Sequence, residues 1–269
     1  MVLQYITWDI DPVLFNLGPL SIRWYGALFS GSFLISYLWL IKLFKQEKVP
    51  VKILDGLTTT MIVATIIGAR LGHCLFYEPE IYLKNPILIL KIWEGGLASH
   101  GAGIAIVLGI YIYARKTKIP FLWYLDRVVI FTALAGVFIR FGNLMNSEIF
   151  GTVTTLPWGF YFVKYYDPQM GLDPRHPTQL YESLSYLLIF IFLFNYYKKR
   201  LGKFENGQLF GLFLIMVFGM RFLIEFLKVP QVGFEKGMAL NMGQLLSIPF
   251  VILGIAVIVF INRKTVAKK

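Results

Sequence analysis

Apolar residues run in long blocks along this chain, and the polar residues between them fall into short, sharply bounded segments. A helix needs about 20 apolar residues to cross a hydrocarbon core of about 30 Å. Seven segments reach or approach that length: 20–41, 54–76, 97–114, 121–140, 179–197, 208–227 and 243–261, the third being short for a span. The pattern predicts an all-α polytopic membrane protein of about seven transmembrane helices. These take up nearly the whole chain, so one transmembrane domain over 1–269 is expected, with its longest loop region around 141–178.

Composition agrees: 57% of the 269 residues are hydrophobic, 15% are charged, and the mean hydropathy is +0.65. A net charge of +11 raises nucleic acid as a partner, but the basic residues gather in alternate inter-helix loops. Lys42, Lys45, Lys48 and Lys52 follow the first span, and Arg115, Lys116 and Lys118 follow the third. Lys198, Lys199, Arg200 and Lys203 follow the fifth, and Arg263, Lys264, Lys268 and Lys269 follow the last. The other loops carry Asp9 and Asp11, the mixed segment Glu78, Glu80, Lys84, Lys91 and Glu94, and the 141–178 stretch with few basic residues. Cytoplasmic loops are the basic ones. The N-terminus is therefore expected outside and the C-terminus in the cytoplasm, which an odd number of spans requires, and no nucleic-acid partner is expected. The opening MVLQYITWDIDPVLFNLGPL lacks a basic segment followed by an apolar one, so the first span is expected to serve as its own insertion signal. Cys74 is the single cysteine, which excludes a disulfide framework and a cysteine metal cluster.

With that direction, the polar residues of the spans fall in one half of the membrane. Arg23 and Tyr25 open the first span, Arg70 and His73 close the second, and His100 opens the third. Arg140 and Asn143 close the fourth, Gln179, Tyr181 and Glu182 open the fifth, and Arg221 and Glu225 approach the end of the sixth. All of these lie toward the outer side, while the inner halves are mostly Leu, Ile, Phe and Val. A charge at the centre of a membrane helix costs about 2.5–3.5 kcal/mol on insertion scales, so such residues face a polar interior, pair with one another, or hold an anion. The planar fork of arginine matches phosphate geometry. Several arginines at headgroup depth point to a phospholipid phosphate.

Each constellation also has a plainer reading. Arg140 and Asn143 share a helix face at i,i+3, and NLMNSEIFG follows with Asn146, Glu148 and Gly151. Alone, Arg140 reads equally well as a side chain snorkelling to headgroups, but a snorkelling residue needs no polar escort. Arg221 and Glu225 stand at i,i+4, with Lys228 continuing the stripe. They form either a self-neutralising ion pair or a carboxylate that orients a guanidinium toward an anion. HPTQLYE (176–182) opens the fifth span with Gln179 and Glu182 on one face, as a simple polar cap or as part of a site. His100 lies among Gly96, Gly101 and Gly103, where backbone approaches a ligand closely. A lone histidine is more often structural, and only its position argues for a proton acceptor. His73 and Cys74 read as packing. Three scattered histidines without HExxH make a metal site improbable, and GGLASHGAG lacks the GK[ST] of a phosphate loop.

From the residues alone, three classes stay open. A phospholipid-dependent transferase suits a one-sided polar cavity. A lipid or small-anion transporter would need midplane charges and an internal repeat, both weak here. A structural or receptor-like seven-span protein would need no buried arginine–glutamate stripe.

Taken together, the motifs resemble the bacterial prolipoprotein diacylglyceryl transferases. The matching strings are GPLSIRWYG (18–26), GARLGHCLFY (68–77), IWEGGLASHG (92–101), IRFGNLMNSEIFG (139–151), RHPTQLYE (175–182), RFLIEFLKVP (221–230) and NMGQLLSIP (241–249). They stand in family order and cover nearly the whole chain. The resemblance implies seven spans with the N-terminus outside. It also implies a multi-pass protein of the bacterial inner membrane, with the catalytic site facing the periplasm, as does the 141–178 region. The implied reaction moves the sn-1,2-diacylglyceryl group of phosphatidylglycerol to the lipobox cysteine of a prolipoprotein signal peptide, leaving a thioether and glycerol-1-phosphate. Neither a metal nor another cofactor is expected. By resemblance, Arg140 and Arg221 fall on the two essential arginines, and Tyr25, His100, Asn143, Glu148 and Gly151 on other functional positions. Glu225, Gln179, Tyr181 and Glu182 support them. The chain departs from the family's usual pattern at several points. Gly-Ala-Gly follows His100 where Gly-Gly-Leu is usual, Val217 stands where tyrosine is often found, Lys228 stands where arginine is common, and Gln231 stands where aspartate is frequent.

Overall fold

A computed structural model of the protein describes residues 5–164, 173–229, 235 and 237–266. Gln231, the tail residues Lys268 and Lys269, and 165–172 of the long loop region lie outside the described residues. All seven predicted spans are helices: α1 (Trp24–Gln46), α2 (Val51–Phe76), α4 (Ser99–Thr117), α5 (Phe121–Met145), α6 (Thr178–Arg200), α7 (Gln208–Ile224) and α8 (Met242–Val266), with a short α3 (Pro79–Lys84) between the second and third. Six are long and apolar enough to cross a membrane. The helix outside that set is α4, with 19 residues and Arg115 and Lys116 in its last turn. At 1.5 Å per residue it still spans roughly 28 Å. The basic loops of the sequence begin inside the last turns of α1, α4 and α6, at Lys45, at Arg115 and Lys116, and at Lys198, Lys199 and Arg200. Cations there offset the negative end of the helix dipole.

The chain divides into two compact units, Met1–Leu38 with Asp126–Lys269, and Trp39–Leu125. In the second unit α2 packs on α4 through glycines: a Cβ on Gly72 would lie 2.8 Å from the Cα of Gly101. Small residues allow such backbone approach where apolar side chains gain nothing over lipid. Beyond α2 the chain folds into α3 and two single 3-10 turns, Pro86–Leu90 and Ile92–Glu94. Arg70, 3% exposed, holds this segment. Its Nε donates to the carbonyl of Ile89 (2.9 Å), Nη2 to Leu88 (2.6 Å) and Nη1 to Gly95 (2.5 Å). The sequence pattern grouped Arg70 with the cavity residues, but its donors are committed to backbone carbonyls.

The first unit begins with strands that the hydropathy pattern did not reveal. β1 (Ile6–Trp8) pairs in parallel with β4 (Phe160–Phe162), and β2 (Val13–Leu17) forms a hairpin with β3 (Leu20–Arg23). The hairpin explains why the first span starts at Trp24 rather than near residue 20. Trp8 donates its indole N–H to the Leu144 carbonyl at 2.9 Å and packs on a core of Leu144, Phe150, Phe160 and Phe162. The small sheet is thereby tied to the end of α5. α7 and α8 meet where a Cβ on Gly254 would lie 2.8 Å from the Gly211 carbonyl oxygen. The first residue before α7 is Gly207, which has no side chain to cap the free N–H groups of the first turn. Asp126 of α5 does it instead, accepting from Gly207 N (2.6 Å) and Phe210 N (2.9 Å). This carboxylate and its neighbour Arg127 are almost completely buried at the end of α5 opposite Arg140, in a half of the span that reads as mostly apolar.

Candidate active site

Five charged side chains of the first unit form one connected chain. Arg140, near the end of α5, places Nε 3.1 Å from Glu182 Oε2 in the first turns of α6. Glu182 Oε1 accepts from Lys228 Nζ at 3.0 Å, and the same ammonium donates to Glu225 Oε1 at 2.9 Å. Glu225 in turn lies 3.6 Å from Arg221 Nε across one turn at the end of α7. Burial of Glu182 and Lys228 is nearly complete, which is tolerable for charges only when each has partners. Tyr186, one turn beyond Glu182, shares a side-chain hydrogen bond with Arg140.

Arg140 also donates from Nη1 to Asn143 Oδ1 at 3.3 Å. Asn143 Nδ2 passes the connection to Glu148 Oε1 (2.8 Å), which also accepts from Asn146 Nδ2 (3.2 Å). Glu148 is set between two residues in left-handed backbone, Ser147 (φ 52°) and Ile149 (φ 61°). For a β-branched residue that conformation is an outlier costing on the order of 1–3 kcal/mol, and it persists only where the surroundings enforce it. They do so here. Gln179 Nε2 donates to the Glu148 carbonyl (2.6 Å), Thr178 Oγ1 to Ile149 (2.9 Å), and Gly151 N to His176 (2.8 Å). Gly151 also bridges Lys228 along the backbone. The loop after α5 is thus laced to the start of α6 on one side and to the end of α7 on the other.

Tyr25 belongs to the same unit: its ring lies against Gly142, and its charged neighbours are Glu148 and Arg140. Its hydroxyl has no hydrogen-bond partner among the described residues. Tyr181 points elsewhere, accepting from Trp158 Nε1 (2.9 Å) and lying 3.2 Å from His176 Nδ1. Burial holds the His176 pKa below its ordinary value of 6.5, which suits a neutral ring whose Nδ1 accepts from the tyrosine. His100 lies in the other unit, exposed in the first turn of α4, with the rings of Phe76 and Tyr77 at 5.4 and 5.8 Å.

The structure therefore brings together Arg140, Asn143, Glu148, Gly151, Gln179, Glu182, Arg221, Glu225 and Tyr25 from the sequence-derived set. Lys228, Tyr186 and Asn241 complete the cluster but were not in that set. The sequence pattern placed Lys228 on the Arg221–Glu225 stripe without giving it a role, and Tyr186 stands at i+4 from Glu182, so helical spacing alone would have flagged it too. Asn241 carried no such signal. Counted by charge, Arg140, Lys228 and Arg221 balance Glu148, Glu182 and Glu225. The two arginines differ in access, with the Arg140 side chain 13% exposed and that of Arg221 34%. Arg221 uses Nε toward Glu225, and its two Nη groups have no protein partner among the described residues. Such a cluster can receive one anionic group at the open Nη groups of Arg221, and can strengthen its hold as negative charge grows there.

Comparison with known proteins gives the family. Residues 12–260 match the family described as prolipoprotein diacylglyceryl transferase. The phosphatidylglycerol–prolipoprotein diacylglyceryl transferase of Tolumonas auensis is 48% identical over 262 residues, 97% of this chain and 99% of the relative. Proteins with the same description from Chloroherpeton thalassium and Porphyromonas gingivalis are 46% and 44% identical, over 95% and 98% of this chain and 94% and 98% of theirs. A match of that length and identity, on a polytopic helical chain with an arginine-bearing polar cluster, means that the chain belongs to the prolipoprotein diacylglyceryl transferase family.

Proposed function

We propose that the cluster around Arg140 and Arg221 is the site of the family's reaction, the transfer of diacylglyceryl from phosphatidylglycerol to a prolipoprotein that begins lipoprotein maturation. The observation that carries this reading is the pair of guanidiniums held by buried carboxylates, one of them with an open fork of donors. In the step, a cysteine thiolate attacks the glyceryl carbon attached to the phosphodiester oxygen. The sulfur–carbon bond forms and the carbon–oxygen bond breaks. The electron pair goes to the phosphate oxygen, giving glycerol-1-phosphate, and the thiol proton goes to a base. Arg140 and Arg221 stabilise the charge that builds on the phosphate, a contribution of about 2.7–4 kcal/mol for one such donor in a water-poor site. Asn143 and Glu148 orient Arg140, Gln179 fixes the Glu148 backbone, Gly151 ties the same loop to His176, and Tyr25 faces the same charges with a hydroxyl that has no partner among the described residues.

The chain is a multi-pass membrane protein, with six helices among the described residues apolar enough to span, and its family supports a location in the bacterial inner membrane. The loop charges support an outside N-terminus and a cytoplasmic C-terminus, with the site opening to the periplasm, where a lipobox cysteine emerges from its signal peptide. The test is direct. Purified protein is incubated with phosphatidylglycerol and a lipobox peptide, and the peptide is weighed. The mass should rise by one diacylglyceryl group with one glycerol phosphate released, and a cysteine-to-serine peptide should stay unmodified. An unchanged cysteine peptide would reject the reading.

His100 is the proposed acceptor of the thiol proton. This rests on the resemblance and on imidazole chemistry. A thiol of pKa about 8.5 is mostly protonated at neutral pH and needs a base there, but ionises unaided in alkaline buffer. His100→Gln should therefore slow transfer strongly near pH 6.5, with the deficit shrinking as pH approaches 9. A deficit of equal size across that range would assign His100 to packing or positioning.

A further inference from the structure

Lys228 has no part in the reaction as written, yet it is the most buried cation of the cluster, with its side chain 2% exposed. It stands between two carboxylates that each hold one arginine. Charge alternates along Arg140, Glu182, Lys228, Glu225 and Arg221, and consecutive contacts join α5 to α6, α6 to the segment after α7, and that segment back to α7. An ammonium is a compact donor of three hydrogens, and two of them are spent across this gap. Its backbone is fixed as well, with its N–H on the Glu225 carbonyl at 3.2 Å and its strand position bridged to Gly151.

The far carboxylate is seated by the start of α8. Asn241 Nδ2 donates to Glu225 Oε2 at 3.2 Å and to the Glu225 carbonyl at 3.1 Å. Asn241 is itself immobilised by a reciprocal cap, its Oδ1 accepting from Gln244 N (2.8 Å) while Gln244 Oε1 accepts from Asn241 N (3.0 Å). Gly243 completes the seat, since a Cβ there would collide with the Glu225 carboxyl group. The NMGQ segment, which carried a family likeness without a role, is thus the support of Glu225.

We propose that Lys228 is a positioning residue that sets the spacing of the two guanidiniums, with the Asn241–Gln244 cap anchoring the far end. This rests on the assignment of both arginines to the lipid phosphate. Lysine reaches both carboxylates here, and its ammonium is committed to them rather than to an open face. A misplacement of about 1 Å at a reacting centre can cost about a hundredfold, and a loss of that order in kcat/KM per folded molecule is expected for Lys228→Met. It should appear mainly in kcat, because displaced arginines still attract an anion. Lys228→Arg, which can also bridge two carboxylates, should stay within about threefold to tenfold of the parent. The double variant Glu182→Gln with Lys228→Met removes one charge of each sign, and it should recover melting temperature but not transfer.

Three results would overturn the proposal. One is parental kcat/KM in Lys228→Met. Another is equal impairment of Lys228→Arg and Lys228→Met, and the third is a double variant that regains full transfer, which would reduce Lys228 to a counter-charge. Should Lys228→Met fail to fold, the arginine and double variants still decide. Arg140→Ala and Arg221→Ala in the same assay separate the two levels. Transfer retained by both rejects the site itself, whereas transfer lost by both and kept by Lys228→Met rejects only the positioning role.

Discussion

Arg140→Ala is expected to abolish diacylglyceryl transfer while the protein still inserts and folds. Arg140 holds one side of the proposed phosphate position and, through Asn143, the loop carrying Glu148. Removing one preorganised donor costs about 2.7–4 kcal/mol of barrier, a hundredfold to a thousandfold. Loss of the Asn143 contact adds to this and brings activity to the detection limit. The stability question must be separated, because stripping one partner from a buried ion pair typically costs about 3–5 kcal/mol. Here Glu182 keeps Lys228 on its other oxygen at 3.0 Å, so the remaining charge is not abandoned and the cost falls below that range. Arg140→Ala with Glu182→Gln removes the stranded charge and should restore melting temperature without restoring transfer. Complementation of a transferase-depleted strain reads the same effect in cells. Full growth on the alanine variant, at normal protein level, would remove Arg140 from the mechanism.

The spans were legible because membrane insertion depends on one averaged property, apolar length, which survives local irregularity. Trp24, Phe121 and Thr178 begin helices within a few residues of the expected places. The segments outside the spans obey other rules. β1 has three residues and finds β4 more than 150 positions away, so no local periodicity could announce the pair. Arg70 shows the limit of reading depth as function. Its position suits a cavity, but whether its donors meet a ligand or the carbonyls of Leu88, Ile89 and Gly95 depends on how the chain after α2 returns. Asp126 shows the converse, since a carboxylate in an apolar run made sense only once Gly207 proved to leave α7 uncapped. Within the site, spacing within a helix was readable and meeting between helices was not. Arg221 and Glu225 pair within one turn, as i,i+4 predicts. The link from Lys228 to Glu182 joins residues 46 positions apart, and Asn241 approaches Glu225 from a third element.

Arg221→Lys should reduce transfer about a hundredfold to a thousandfold with little change in stability. The substitution keeps the charge, so a role that is only Coulombic would survive it. What is lost is the planar fork, which presents paired donors to two phosphate oxygens and which a single ammonium cannot reproduce. Little stability should go with it, because Arg221 is a third exposed and its link to Glu225 is long, at 3.6 Å. Glu225→Gln should behave in the opposite manner. Its carboxylate is buried and also receives Lys228 at 2.9 Å and Asn241 at 3.2 Å, so an amide there leaves Lys228 balanced by Glu182 alone and turns an N–H toward other donors. Melting temperature in detergent should fall more than in Arg221→Lys, while activity per folded molecule falls only about tenfold, since the amide oxygen still accepts from the guanidinium. Measuring both quantities on the same preparations distinguishes this from a structural ion pair, for which both variants would melt early and turn over normally when folded. Near-parental specific activity in the lysine variant would take Arg221 out of the catalytic pair and leave Arg140 as the sole ligand for the leaving phosphate.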